Sequence, residues 1–247
     1  CEAFITTLRE TVDLWNFRVA AYCLMSNHYH LLIQTPDGNL ARGMRHLNGV
    51  YTQRFNRGHN TEGQLFRGRY KAVLVESDSH LLEVMRYIHR NPLTAGIVKT
   101  FGDYRWSSHQ GYLARGKKWA WLQKGDLLSM LTSTKPQQRS TYLDFVSKGE
   151  PGEIERFYSL KNLPSVLGSE SFKEFIRDKF SALAYMQDIP ESRILAPDAG
   201  KVIASVCDYY RIPRSELLVS KRGSENPPRD LAIYLVRRLC RMTLPRV

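Results

Sequence analysis

The sequence predicts an α+β fold: a central antiparallel sheet flanked by helices, followed by an α-helical C-terminal region. Two observations carry that reading. Residues 17–35 form two apolar runs broken only at Ser26-Asn27, which reads as a β-hairpin. Around them, apolar residues recur at the three-to-four spacing of helices, and past residue 124 that spacing continues with little punctuation.

Each element follows in order. Phe4, Ile5, Leu8, Val12 and Trp15 place a helix over 2–15. Phe17 to Met25 is a strand. Ser26 and Asn27 favour a turn because their short side chains bond to nearby backbone. His28 to Thr35 is the returning strand, and Pro36-Asp37-Gly38-Asn39 ends it. Leu40, Met44, Leu47 and Tyr51 mark a helix over 40–56, with Asn39 as its expected cap. Gly58 and Gly63 lie in a loop, and residues 65–76 read as a third strand, strongest at Ala72 to Val75. Ser77, Asp78 and Ser79 are cap candidates for a helix expected to end near Asn91, because Pro92 disfavours helical backbone before it. Residues 101–113 read as a loop and short helix rich in aromatics. Pro190 and Pro197 to Gly200 read as a linker, with helices over 202–210 and 228–242 beyond it. The domains expected are 1–115, a helical connector over 116–183, and a small helical module over 184–247.

Composition narrows the functional classes. A net charge of +12 points to a polyanionic partner, nucleic acid first and an anionic membrane surface second. No apolar run reaches the roughly 18 residues of a membrane span, and no signal peptide opens the chain. Cys1, Cys23, Cys207 and Cys240 are scattered and form no CxxC pair, which argues against a zinc knuckle or a disulfide framework and for a reduced, cytoplasmic setting.

Two short motifs carry chemistry. His28-Tyr29-His30 puts two imidazoles on one strand face, since strand side chains repeat every second residue. Neutral imidazole has a free lone pair for a cation. Tyr87 and Asn91 put a phenol and an amide on one helix face, one turn apart. Alone, each motif also fits packed histidines or a helix-ending asparagine. Together they supply metal ligands and an oxygen nucleophile. His89 and His109 read as surface or packing histidines and receive no role.

The surrounding sequence resembles a known family. AYCLMSNHYHLLIQT, LARGMRHLNGVYTQRFN, GQLFRGRYKAVLVESDSHLLEVMRYIHRNPLTAGIV and DYRWSSHQGYL, in that order, are similar to the single-strand transposases of the HUH superfamily, above all the REP-associated tyrosine transposases. The resemblance implies a ferredoxin-like HUH domain. It implies that His28, His30 and Asn91 hold a divalent ion, Mg²⁺ or Mn²⁺. It implies that Tyr87 attacks single-stranded or hairpin DNA to give a 5′-phosphotyrosine, and that the released 3′-OH later rejoins DNA. No nucleotide cofactor and no membrane partner enter that scheme, and the setting it implies is the bacterial cytoplasm at the nucleoid. Related transposases are often homodimers with shared sites, whereas REP-associated members also act singly, so both states stay open. The resemblance further implies a strand ahead of Cys1, and the 1–115 domain is read as lacking it.

Residues 42–71 concentrate positive charge: Arg42, Arg45, Arg54, Arg57, Arg67, Arg69 and Lys71 stand against Glu62 alone. Tyr51, Phe55, Phe66 and Tyr70 are interleaved. Arginines neutralise phosphates while aromatics stack on unpaired bases, so this segment is the expected DNA surface. Residues 184–246, through YYRIPRSELL and RDLAIYLVRRL, resemble the DNA-binding domain of the replication initiator DnaA, with Lys221, Arg222 and Arg229 as expected phosphate contacts. The chain stops where the recognition helix of such a module is expected, so both ends are read as cut. Three rivals share part of this pattern: a non-catalytic DNA-binding regulator, a nuclease that uses water, and an RNA-binding protein.

Overall fold

The computed structural model describes residues 1–77, 79–114, 116–149, 152–180, 198–217 and 226–240. The chain divides into two compact units. The first contains residues 1–72 and 77–163; the second contains 73–76 and 164–247. This differs from the division read from the sequence, because residues 116–163 belong with the first unit rather than to a separate connector.

In the first unit, helix α1 (Glu2–Trp15) leads into strand β1 (Arg18–Leu24), which pairs antiparallel with β2 (Tyr29–Gln34). α1 buries Phe4, Thr7, Leu8 and Thr11. Both threonines satisfy their hydroxyls by bonding back one turn, Thr7 to the Ala3 carbonyl at 2.7 Å and Thr11 to that of Thr7 at 2.8 Å. Among the described residues the sheet of this unit is this hairpin alone, so the broader central sheet expected from the sequence is not seen. The far edge of β1 is nevertheless covered. Leu24 N–H donates to the Trp106 carbonyl (3.0 Å), Ser108 N–H to the Tyr22 carbonyl (2.9 Å) and Gln123 N–H to the Val19 carbonyl (2.8 Å). Val19, Ala21, Tyr22, Cys23 and Leu24 are all buried.

Helix α2 (Leu40–His59) packs on α1 through Met44 and Leu47. Gly43 lets α2 approach the buried Phe17, which lies between α1 and β1: a Cβ there would lie 2.1 Å from Cζ of that ring. Asn39 does not cap α2 with its side chain; its amide donates to the Trp15 carbonyl at 2.9 Å and ties the end of α1 to the start of α2. The strand expected over 65–76 shrinks to β3 (Leu74–Val75), because Gly63 and Gly68 take positive φ and turn the chain.

Helix α3 (Ser79–Thr94) lies against β1 and β2. It does not end at Asn91. Pro92 sits inside it, within a turn of its C-terminus, and removes one backbone donor, yet Ala95 N–H still reaches the Asn91 carbonyl at 2.9 Å. Asn91 therefore keeps helical register with Tyr87. After α4 (His109–Leu113), α5 (Gly125–Leu131), α6 (Gln138–Ser147) and α7 (Gly152–Ser159) complete this unit.

A buried polar cluster fastens α3 to α4 and α6. The Tyr142 hydroxyl lies 2.9 Å from His89 Nδ1 and 2.6 Å from His109 Nδ1, and His89 Nε2 lies 2.7 Å from Ser108 Oγ. His89 and His109 are thus packing residues of the interior, fully buried rather than at the surface. Burial holds the His89 pKa well below the usual histidine value and lowers that of His109 to about 4. Unfolded histidine binds its proton near pH 6.5. The unfolded state therefore takes up more protons on acidification, and stability falls as pH drops from about 6.5 towards 4. His109 alone then contributes a loss on the order of 3 kcal/mol across that window. A thermal-melting series is expected to be flat above pH 7 and to fall steadily below 6.5; a midpoint unchanged at pH 5 would contradict this assignment.

The second unit pairs β3 in parallel with β4 (Val166–Leu167) and continues into α8 (Glu170–Phe180). The Glu76 carboxylate accepts from Ser169 N–H at 2.6 Å. Helices α9 (Ala199–Tyr210), α10 (Arg214–Leu217) and α11 (Pro227–Leu239) share a small core of Val206, Cys207, Leu217 and Ala232. Asp198 caps α9 through Gly200 N–H (2.8 Å), and Asn226 caps α11 through Arg229 N–H (3.1 Å). Lys221, Arg222, Pro190 and residues 241–247 lie outside the described residues.

Candidate active site

Strand period and helix period deliver four side chains to one place. On β2, Tyr29 turns to the α1–α2 side: its hydroxyl donates to Asn48 Oδ1 at 2.7 Å and its ring packs on Phe4 at 4.8 Å. His28, just ahead of the strand, and His30 take the opposite face, towards α3. Their Nε2 atoms are 3.1 Å apart. The Asn91 amide nitrogen lies 3.2 Å from His30 Nε2, and the Tyr87 ring meets the His30 ring edge-on at 5.5 Å. The structure thus brings His28, His30, Tyr87 and Asn91 together.

The electrostatics of the two imidazoles suit a cation. Burial lowers the His30 pKa to about 4, with the His28 ring adding to the effect. Burial also lowers that of His28. Both rings are therefore neutral at pH 7. His28 Nδ1 lies 2.7 Å from Asn27 Oδ1; when that oxygen accepts from Nδ1–H, Nε2 is left with its lone pair. That lone pair points at His30 Nε2. Two nitrogen ligands at about 2.1 Å on adjacent positions of one ion lie about 3 Å apart, which matches the separation seen. Asn91 offers its amide oxygen once the amide is turned, an orientation set by its partners. A divalent ion fits this donor set. Among the described residues no cluster of three or more His, Cys, Asp and Glu side chains exists that could hold a metal, so an ion at His28 and His30 would need the Asn91 amide as a third donor.

Two residues of the site escaped sequence reading. Asn27, read only as a turn residue, orients His28. Tyr158 of α7 stacks on Tyr87 with ring centroids 4.3 Å apart and planes 6° from parallel. Its neighbours Ile154 and Phe157 give α7 an apolar face, but nothing local marks which helix that face covers.

The basic segment divides. Arg42, Arg45, Arg57, Arg67, Arg69 and Lys71 are exposed. Arg54 is exposed as well, but its guanidinium is engaged within the protein: it donates to Thr7 Oγ1 at 2.8 Å and pairs with Glu10 at 2.8 Å. It lies seven residues after the buried Leu47, two helical turns on, and so faces α1. The interleaved aromatics are also largely engaged. Tyr51 packs on Phe4 (5.0 Å), Phe55 (6.1 Å) and Phe66 (6.1 Å), so these half-buried rings also have partners within the protein.

Comparison with known proteins finds similarity in the N-terminal part of the chain. Residues 2–91 match the family model of IS200-like transposases. All four clustered residues lie within that span. A protein of Haemophilus influenzae named as a REP-associated tyrosine transposase is 28% identical over 116 residues, covering 42% of this chain and 66% of the relative. The chain thus spans just under two thirds of that relative's length. No solved structure gives a significant match. No helix among the described residues is long and apolar enough to cross a membrane. The likeness to REP-associated tyrosine transposases read from the sequence therefore stands, and residues 2–91 are the part similar to the IS200-like transposase family.

Proposed function

We propose that this protein is a metal-dependent transposase that cleaves and rejoins single-stranded DNA at hairpin or REP-type sites. The observation that carries the reading is the convergence of His28, His30 and Asn91 beside the Tyr87 phenol. IS200-like transposases are generally metal-dependent, and the donor set here fits such an ion. Bound between His28, His30 and Asn91, Mg²⁺ or Mn²⁺ would withdraw charge from a non-bridging phosphate oxygen and so favour attack at phosphorus.

The protein's own residues then divide the work. Asn27 fixes the tautomer of His28. Neutral His28 and His30 present lone pairs rather than protons. Tyr87 supplies the nucleophile: its oxygen bonds to phosphorus, the bond from phosphorus to the 3′ oxygen breaks, and that oxygen leaves as a 3′-OH with a proton. The phenol proton passes to solvent. The 5′-phosphotyrosine keeps the bond energy, so attack by a 3′-OH reverses the step and rejoins DNA without ATP. The test is a denaturing gel of protein incubated with labelled hairpin oligonucleotides and Mn²⁺. A covalent adduct is expected. Binding without adduct would instead indicate a DNA-binding regulator, and free 5′-phosphate without adduct a water-using nuclease.

For the DNA path, Arg42, Arg45, Arg57, Arg67, Arg69 and Lys71 form the proposed phosphate-binding set, and Arg54 is removed from it. Removing one side chain that neutralises a phosphate of single-stranded DNA lowers the salt-dependence slope by about 0.7. Arg42→Ala and Arg45→Ala are expected to flatten the plot of log affinity against log salt by that amount each. Arg54→Ala is expected to leave the slope alone and lower the melting temperature, since its partners are Thr7 and Glu10. Fluorescence anisotropy across a salt series, with parallel melts, distinguishes the two classes.

A further inference from the structure

We propose that Tyr158 is a positioning residue that clamps the Tyr87 ring for attack, an assignment resting on the reading of Tyr87 as the nucleophile. Tyr158 lies beyond residues 2–91, so it is not among the residues that the family match covers. Its ring is stacked nearly parallel on Tyr87, 4.3 Å away, while His30 provides an edge-on contact at 5.5 Å. Tyr158 is itself half-buried, α7 is seated by Ile154, which is 2% exposed, and Phe157 of the same helix packs edge-on against Tyr158 at 5.2 Å.

The physical need is clear. A helical tyrosine has two accessible χ1 settings, and moving between them carries the hydroxyl several ångströms. In-line attack tolerates far less: a misplacement of about 1 Å can cost on the order of 100-fold in rate. Tyr87 reacts at the tip of a long side chain, and its backbone fixes only the base. A parallel aromatic face favours one ring orientation without touching the hydroxyl. Tyr158 is suited to the passive role. Burial, with Tyr87 adding to the effect, pushes its phenol up to about 12, so it remains neutral while Tyr87 reacts.

The test compares wild type with Tyr158→Ala, Tyr158→Leu and Tyr158→Phe in single-turnover adduct formation on a hairpin oligonucleotide with Mn²⁺. Oligonucleotide affinity and melting temperature are measured alongside. Tyr158→Ala is expected to slow adduct formation about 10-fold or more while leaving affinity within about twofold. Tyr158→Leu keeps apolar bulk without a planar face and is expected to slow it similarly, which covers any loss of folding in the alanine variant. Tyr158→Phe keeps the face and is expected to restore the rate to within about threefold of wild type. The ring resonances of Tyr87, assigned by comparison with Tyr87→Phe, are expected to lose their upfield displacement in the Ala and Leu variants only. Wild-type rates in Tyr158→Leu, or rates in Tyr158→Phe as low as in Tyr158→Ala, would overturn the clamp and leave the transposase reading intact. A wild-type protein that forms no adduct would overturn that reading, and the clamp with it. An adduct that survives Tyr87→Phe but is lost in Tyr158→Phe would reverse the two roles and overturn both.

Discussion

Tyr87→Phe is expected to abolish the covalent protein–DNA adduct while leaving affinity for a hairpin oligonucleotide within about twofold. The substitution removes one oxygen and keeps the ring, so the stack on Tyr158 and the edge contact with His30 persist. No other group substitutes for a lost nucleophile without a change of mechanism, and a loss of at least about 1,000-fold is the expected scale. A labelled-oligonucleotide gel under denaturing conditions reads it directly. An adduct that persists at wild-type yield would show that Tyr87 is structural and that another group attacks. The parallel measurement of affinity separates loss of chemistry from loss of the DNA surface proposed on α2 and the loop after it.

His30→Ala is expected to have the second-largest effect: loss of metal-stimulated cleavage by at least about 100-fold, with affinity for DNA in metal-free buffer nearly unchanged. His30 touches both of the other proposed donors, His28 at 3.1 Å and Asn91 at 3.2 Å, so its removal dissolves the set rather than one corner of it. Chelation of divalent ions in the wild-type protein is expected to produce the same loss and, unlike the substitution, to be reversed by adding Mn²⁺. Titration of Mn²⁺ followed by calorimetry gives a readout that does not depend on turnover. Cleavage undiminished in chelator would sink the metal assignment while leaving Tyr87 untouched. Asn91 and His28 are expected to follow His30 in direction.

Much of the site was legible because its geometry is periodic. His28 and His30 are two residues apart beside a strand, and Tyr87 and Asn91 are four apart on a helix, so each pair shares a face whatever surrounds it. The α1 helix, the hairpin and α2 were legible for the same reason. What failed to show was whatever depends on a partner distant in the chain. The charge of Arg54 looked like its neighbours', yet its line on α2 turns it to Glu10. Tyr51 and Phe66 looked like stacking platforms, yet Tyr51 packs on Phe4, Phe66 on Tyr29, and the two on each other. The strand expected over 65–76 carried alternating side chains but little pairing, and Pro92 was read as a helix stop although α3 runs through it.

The amino-acid sequence by itself determined the α+β character, the hairpin, the positive charge and the two motifs, because backbone periodicity and side-chain chemistry are local properties. Tertiary structure alone decided that the two motifs face each other, that His89 and His109 are sealed inside with Tyr142, and that Tyr158 covers Tyr87. Those outcomes depend on which apolar faces bury one another across long stretches of chain, and an apolar stripe states that it must be covered without stating by what.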